Sequence, residues 1–144
     1  MKRETELFRG YQLDLPGPYM ELSPNKRVSW LEKANATKLA RRDAFLVTKA
    51  LGIAGQLLSV RYVWRVRDNR RRDISNYLSM GKPTIDGICD ALGCDDQGVK
   101  VLGGEFLDYG AYARAGAIPM YPSSEGWSSG MVVYLVVALV KGGK

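Results

Sequence analysis

The stretch QLLSVRYVWRVR, residues 56–67, alternates side chains with the two-residue period of a β-strand and lies at the centre of the predicted fold. One face of this strand is apolar throughout and should be buried in a core. The opposite face carries three arginines, at a spacing compatible with contacts to successive phosphates of a nucleic acid. The predicted core positions are Leu58, Val60, Tyr62, Trp64 and Val66.

Two helices are predicted, one before this strand and one after it. Ser29 and Glu32 have the spacing of a capping box, and residues 30–51 contain neither proline nor glycine, so a long helix should begin there. Pro83 should lie in the first turn of the second helix, because proline is tolerated at that position. Gly93 stands where this helix should end.

Three further stretches have the composition of strands. They are residues 5–15, 99–107 and 131–140, and the last is so rich in β-branched residues that we expect it to be buried on both faces. Residues 108–130 are rich in Gly, Ser, Tyr and Pro, which predicts a long connection that closes a hairpin between the last two strands. The predicted fold class is α+β: a single domain over residues 1–144 with a small mixed sheet and two main helices.

Composition narrows the classes of function. The 144 residues include no histidine, which excludes a Ser-His-Asp triad, imidazole base catalysis and zinc sites with histidine ligands. Lysine and arginine total 21 against 15 acidic residues, a formal charge of +6 that favours a polyanionic partner such as nucleic acid. Because the longest apolar run covers ten residues and only two cysteines are present, we expect a cytoplasmic protein with no membrane partner and no small-molecule cofactor.

Charge is concentrated in two adjacent blocks. Residues 61–72 contain six arginines and one aspartate, and residues 73–96 contain five aspartates and one lysine. These blocks fit a solvated surface that neutralises itself, with the aspartates as caps and turn formers. They equally fit a phosphate-binding surface beside a site for Mg²⁺ or Mn²⁺, since these ions take oxygen ligands and need no histidine. Asp86 and Asp90, four residues apart on a helix, would repel each other unless a cation or guanidinium lies between them.

The two blocks contain an ordered set of motifs. Residues 70–76 read RRRDISN, residues 82–92 read KPTIDGICDAL, and residues 95–99 read DDQGV. This order resembles the signature of the RusA-like Holliday-junction resolvases, in which a basic run and Asp-x-Asp-Asn precede a lysine that enters a helix and an Asp-Asp turn into a strand. Residues 22–30, LSPNKRVSW, are similar to the loop before the first helix of that family. The resemblance spans roughly residues 20–100.

The resemblance implies a RusA-like nuclease fold and a homodimer that binds four-way or other branched DNA and makes paired nicks with Mg²⁺ or Mn²⁺. Such enzymes are common in phages and prophages, so this one would act in the cytoplasm of a bacterial host. Position by position, the implied catalytic residues are Asp73, Lys82 and Asp96, and the implied metal ligands are Asp73, Asp86, Asp95 and Asp96. The candidate DNA contacts are Lys26, Arg27, Arg61, Arg65, Arg67, Arg70, Arg71, Arg72 and Asn76.

The chain departs from the family pattern at Ser75, where a second metal-binding aspartate is usual, and extra residues stand before Lys82. A serine hydroxyl is a neutral and weaker ligand for Mg²⁺. One alternative is therefore a DNA-binding protein that has kept the fold but lost catalysis. Another is a small RNA-binding protein that uses the aromatic-rich connection. Trp30, Trp64 and Cys89 are predicted to be core residues without a chemical role.

Overall fold

The computed structural model describes residues 7–114, 127 and 130–139 of the chain. It confirms the predicted α+β class, with a small mixed sheet and two long helices. In chain order the elements are β1 (Leu7–Pro16), a 3-10 turn (Met20–Leu22), α1 (Trp30–Ala50), β2 (Gln56–Val66), α2 (Ile74–Ser79), α3 (Lys82–Leu92), β3 (Lys100–Asp108), α4 (Tyr109–Arg114) and β4 (Gly130–Leu139).

The sheet has the strand order β1-β4-β2-β3. β4 pairs antiparallel with both β1 and β2, whereas β3 pairs parallel with β2. The predicted hairpin between the last two strands is therefore wrong, since β3 and β4 lie on opposite sides of β2. A parallel pair needs a crossover connection, and the segment with α2 and α3 provides it between β2 and β3.

β2 supplies the centre of the core. The rings of Tyr62 and Trp64, each 1% exposed, stack with their centroids 5.5 Å apart. A register shift between Leu57 and Ser59 places Leu57, rather than the predicted Leu58, among the fully buried side chains. The other predicted core positions on this strand are confirmed: Val60, Tyr62, Trp64 and Val66 are buried.

The helix α1 begins with the predicted capping box. The Ser29 side chain accepts the N–H of Glu32 at 3.1 Å, and the Glu32 side chain accepts the N–H of Ser29 at the same distance. The prediction that Trp30 is a core residue is wrong: it is 80% exposed in the first turn. The buried stripe of α1 begins further along and consists of small residues, namely Ala36, Ala40, Ala44 and Thr48.

Small residues allow α1 and α3 to approach closely. A Cβ atom on Gly87 of α3 would collide with the backbone carbonyl oxygen of Arg41 and would lie 3.0 Å from the Cβ of Ala44. Gly87 is therefore the point at which the two helix backbones meet. Cys89, two residues later, is a buried core residue as predicted, and Gly93 ends α3 in the left-handed conformation.

Two further predictions need correction. Residues 131–140 are not buried on both faces, since Tyr134 and Val136 are exposed on the face opposite to α1 and α3. The predicted connection 108–130 starts with the helix α4, and residues 115–126 lie outside the described part of the chain. No helix among the described residues is both long enough and apolar enough to cross a membrane.

Candidate functional site

The acidic residues of α3 and of the turn after it lie in a network with two cations. Lys82 is the first residue of α3, and its Nζ lies 2.6 Å from Oδ1 of Asp86, one helical turn later. The same ammonium also contacts Asp96. We call Arg41, Lys82, Asp86, Asp90 and Asp96 the acidic network.

Hydrogen bonds in this network change the pKa values of its members. The hydrogen bonds that the Lys82 ammonium donates to Asp86 and Asp96 raise the pKa of Lys82 above its ordinary value. The ammonium of Lys82 in turn lowers the pKa of Asp96. Lys82 is therefore charged and Asp96 is ionised at neutral pH, so the contact is an ion pair.

Arg41 of α1 supplies the guanidinium that the Asp86 and Asp90 spacing requires. Its Nε and Nη2 donate to the two carboxylate oxygens of Asp90 at 2.6 and 2.9 Å, and its Nη1 lies 4.0 Å from Asp86. This bidentate hydrogen bonding lowers the pKa of Asp90. The sequence showed that a cation was needed but did not identify it, because Arg41 is 49 residues away in the chain.

The donor set of this site is compatible with a divalent cation. Asp86 belongs to α3 and Asp96 to the turn that follows, yet both carboxylates point at one ammonium. The Lys82 ammonium marks a point where carboxylate oxygens from these two segments converge. Hard divalent ions prefer such ligands.

The remaining two predicted metal ligands have structural roles. Asp73 is the N-cap of α2, and its Oδ1 accepts the N–H of Ser75 at 2.9 Å. Asp95 accepts the N–H of Gln97 at 3.1 Å, as a turn former does. Within residues 7–114, 127 and 130–139, no three acidic or cysteine side chains lie close enough together to hold a metal ion.

The arginine segment, residues 67–72, folds around Asp68. Oδ1 of Asp68 accepts the N–H of Arg70 at 3.2 Å and a guanidinium hydrogen of Arg72 at 3.1 Å. The Arg72 guanidinium also donates to the carbonyl oxygens of residues 68 and 70. The pKa of Asp68 is lowered most by the hydrogen bond that it accepts from the backbone N–H of Arg70. One aspartate and one arginine therefore fix the path of a segment that also carries Arg67 and Arg71.

Four of the nine candidate DNA contacts meet at one place. Arg65, Arg67, Arg70 and Arg72 line a single open cavity between the end of β2, the arginine segment and α2. Arg71 lies outside this lining and is exposed. The sequence placed these arginines near each other but gave no sign of a concave surface, because the loop around Pro18 that completes the cavity is distant in the chain.

The arginines of β2 do not form the predicted row, and the candidate DNA contacts outside the cavity are dispersed. Arg61 forms an ion pair with Glu105 of the neighbouring strand, and Arg65 lies 3.7 Å from Asp14 with only 10% of its side chain exposed. These two arginines therefore do not form a continuous exposed row along β2 with Arg67. Lys26 and Arg27 are exposed in the loop before α1, and Asn76 is half-buried in α2.

The chain was compared with known proteins. It is 40% identical over 91 residues to an uncharacterized protein of Xylella fastidiosa. The matched part covers 59% of this chain and 60% of that protein, so the chain spans about three-fifths of the length of this relative. No protein-family model matches the chain.

Proposed function

We propose that this chain is a RusA-type endonuclease that resolves four-way or other branched DNA as a homodimer, with Mg²⁺ or Mn²⁺ as its cofactor. The observation that carries the proposal is the convergence of Asp86 and Asp96 on one cation position. This position lies on α3, which follows the arginine segment and α2 directly in the chain. Such an enzyme would work in the cytoplasm of a bacterial host, where its DNA substrate is found.

The acidic network would hold the metal through Asp86 and Asp96. Bound there, a divalent ion would activate a water molecule and neutralise the scissile phosphate. Lys82 would exchange its carboxylate partners for a phosphate oxygen, because its ammonium already lies at that point and stays charged. By the resemblance, Asp73 and Asp95 would belong to the same acidic set, which requires both side chains to leave the cap and turn contacts that they make here.

The arginine segment would position the DNA strand. Its four arginines and single aspartate leave positive charge in excess, which phosphates can neutralise. Because contacts to phosphate carry no sequence information, this surface would select DNA by shape and charge.

A magnesium titration tests the proposal. The purified chain is incubated with a synthetic four-way junction or with a linear duplex of the same sequence, and nicked strands are resolved on a denaturing gel. The proposal predicts paired nicks in the junction that appear with Mg²⁺ and disappear with EDTA, whereas the linear duplex stays intact. A junction that is bound but stays uncut at every Mg²⁺ and Mn²⁺ concentration would contradict it.

A second candidate function is DNA binding without cleavage. Two observations favour it: the Lys82 ammonium already lies between Asp86 and Asp96, and Ser75 stands where the family pattern has a metal-binding aspartate. The variant Ser75→Asp separates the two candidates. If catalysis has decayed at this position, the variant should nick the junction faster than the parent, with Ser75→Ala as the matched control.

A further inference from the structure

We propose that the cavity lined by Arg65, Arg67, Arg70 and Arg72 binds one unpaired nucleotide of the DNA, with its phosphate against the exposed Arg70 guanidinium. We call it the arginine cavity. The inference rests on the DNA-binding part of the proposed function and names a feature of the substrate: a nucleotide that has left the base stack near the branch point.

The size of the arginine cavity suits one nucleotide. Its volume is about 290 Å³, at the lower end of the range of roughly 300–1,000 Å³ that small-molecule sites have. A duplex cannot enter such a space, whereas a nucleotide that has swung out of the stack can. A cavity of about 350 Å³ elsewhere in the described residues, next to Leu92 and Leu139, has no charged side chain in its lining.

The walls of the arginine cavity combine the two chemistries that a nucleotide presents. Besides four arginines, the lining contains Pro18, Met20, Val66 and Tyr77. Two of the arginines also pair with carboxylates outside the lining, Arg65 with Asp14 and Arg72 with Asp68. None of the described residues that line the cavity is acidic. Guanidinium groups bind phosphate, and aromatic or apolar surfaces take the face of a base.

Part of this cavity is already rigid. The side chains of Arg65 and Arg72 are 10% and 11% exposed, and Arg72 is held by the hydrogen bonds within the arginine segment. The Tyr77 ring stands edge-on to Phe106, with centroids 4.8 Å apart, and to Trp64 at 5.3 Å. Binding therefore orders few of these groups further, which reduces its entropic cost.

Arg70 differs from these rigid groups. Its side chain is 76% exposed at the rim of the cavity. It can move onto a phosphate that enters the cavity. Arg71, the next residue, has the same charge but lies outside the lining, so it is a matched control.

The test uses two four-way junctions, one fully paired and one with a single unpaired 2-aminopurine at the branch point. Binding is measured by anisotropy, and the fluorescence of the 2-aminopurine reports its surroundings. The wild-type chain should bind the junction with the unpaired base at least about fivefold more tightly and change its fluorescence, since stacking one base contributes about 1 kcal/mol or more. Arg70→Gln should abolish this preference, whereas Arg71→Gln should weaken binding to both junctions by the same factor.

Three results would overturn the inference. Equal binding of the two junctions by the wild-type chain overturns it and leaves the proposed endonuclease in place. A preference that survives Arg70→Gln, or that is lost equally with Arg71→Gln, assigns the effect to general charge and also overturns it. Failure of the wild-type chain to bind either junction overturns the inference together with the proposed function.

Discussion

The acidic network and the arginine segment are both dense in charge, but the charge left in excess has the opposite sign in the two regions. In the acidic network two cations face three carboxylates within the protein, and each carboxylate contacts at least one of the cations. The arginine segment contains four arginines and one aspartate, and Asp68 forms ion pairs with Arg70 and Arg72. The acidic network therefore keeps one negative charge in excess, which favours the addition of a cation, whereas the arginine segment has positive charge in excess and favours an external anion. We call the acidic network the proposed cutting region and the arginine segment the proposed holding region, and the predictions below test this division.

The largest expected effect comes from Asp96→Asn. Removing this carboxylate takes away one of the two proposed metal ligands, so nicking of a four-way junction should fall at least about 100-fold. Binding of the junction should be preserved or tightened, because a negative charge near the phosphate is lost. Nicking on a denaturing gel and binding by anisotropy measure the two effects in the same preparation.

The matched control for Asp96→Asn is Asp90→Asn. This change removes the same charge from the acidic network, but Asp90 pairs with Arg41 rather than with Lys82. Its nicking rate should stay near that of the parent. Equal losses in the two variants, or a parental rate in Asp96→Asn, would show that the assignment of the cutting region is wrong.

The next effect concerns the packing that holds the acidic network together. Gly87→Val should lower the free energy of unfolding by about 1–3 kcal/mol, since the new side chain forces α3 away from Arg41 and Ala44. Gly10→Ala is the control, because its new Cβ would meet only one atom, at 3.7 Å. Urea denaturation compares the two, and similar stabilities for both variants would contradict the account of helix packing.

A smaller effect is expected from the holding region. Replacing both Arg70 and Arg71 by Gln should reduce the salt dependence of junction binding, with a slope of log K against log salt that is smaller by about 2, or roughly 0.9 for each lost phosphate contact. At saturating DNA the nicking rate should remain close to that of the parent. Replacing Arg42, an exposed arginine of α1 outside both regions, should leave the slope unchanged.

The sequence predicts the elements of this fold better than their arrangement. The capping box at Ser29 and the alternation in β2 are local patterns, and each predicts its element correctly. The strand order is not local: β4 inserts between β1 and β2 through pairings such as Tyr11 with Leu135, which no short pattern encodes. The prediction that Trp30 is buried was wrong for a related reason. Whether a helix residue is buried depends on which face of the helix packs against the rest of the fold.

For the candidate site, too, the sequence predicted local features better than the contacts between distant segments. The spacing of Asp86 and Asp90 indicated a nearby cation, and Arg41 fills that role from another helix. The spacing of the aspartates did not reveal that Lys82 contacts two of them, since this contact depends on how the turn after α3 folds back. The shape of the arginine cavity could likewise not be predicted from the sequence, because segments that are distant in the chain form it.

The smallest expected effect is on stability against pH. Because Arg41 lowers the pKa of Asp90, the native state binds fewer protons than the unfolded state near the ordinary aspartate pKa of about 3.9. This stabilisation is present above that value and is lost as the pH falls through the lowered pKa. The wild-type chain should therefore be slightly more stable than Asp90→Asn at pH 7, and the two should converge as the pH falls through the lowered pKa of Asp90. Urea denaturation across this range measures the difference, and parallel curves would contradict the pairing.

The most direct test of the cutting region is a crystal structure after a soak in Mn²⁺. The account predicts an anomalous difference peak between the carboxylates of Asp86 and Asp96, with the ammonium of Lys82 displaced from its position there. If Mn²⁺ at a concentration that supports nicking produces no peak between these two carboxylates, with Lys82 still bound to both, the account of the cutting region is wrong.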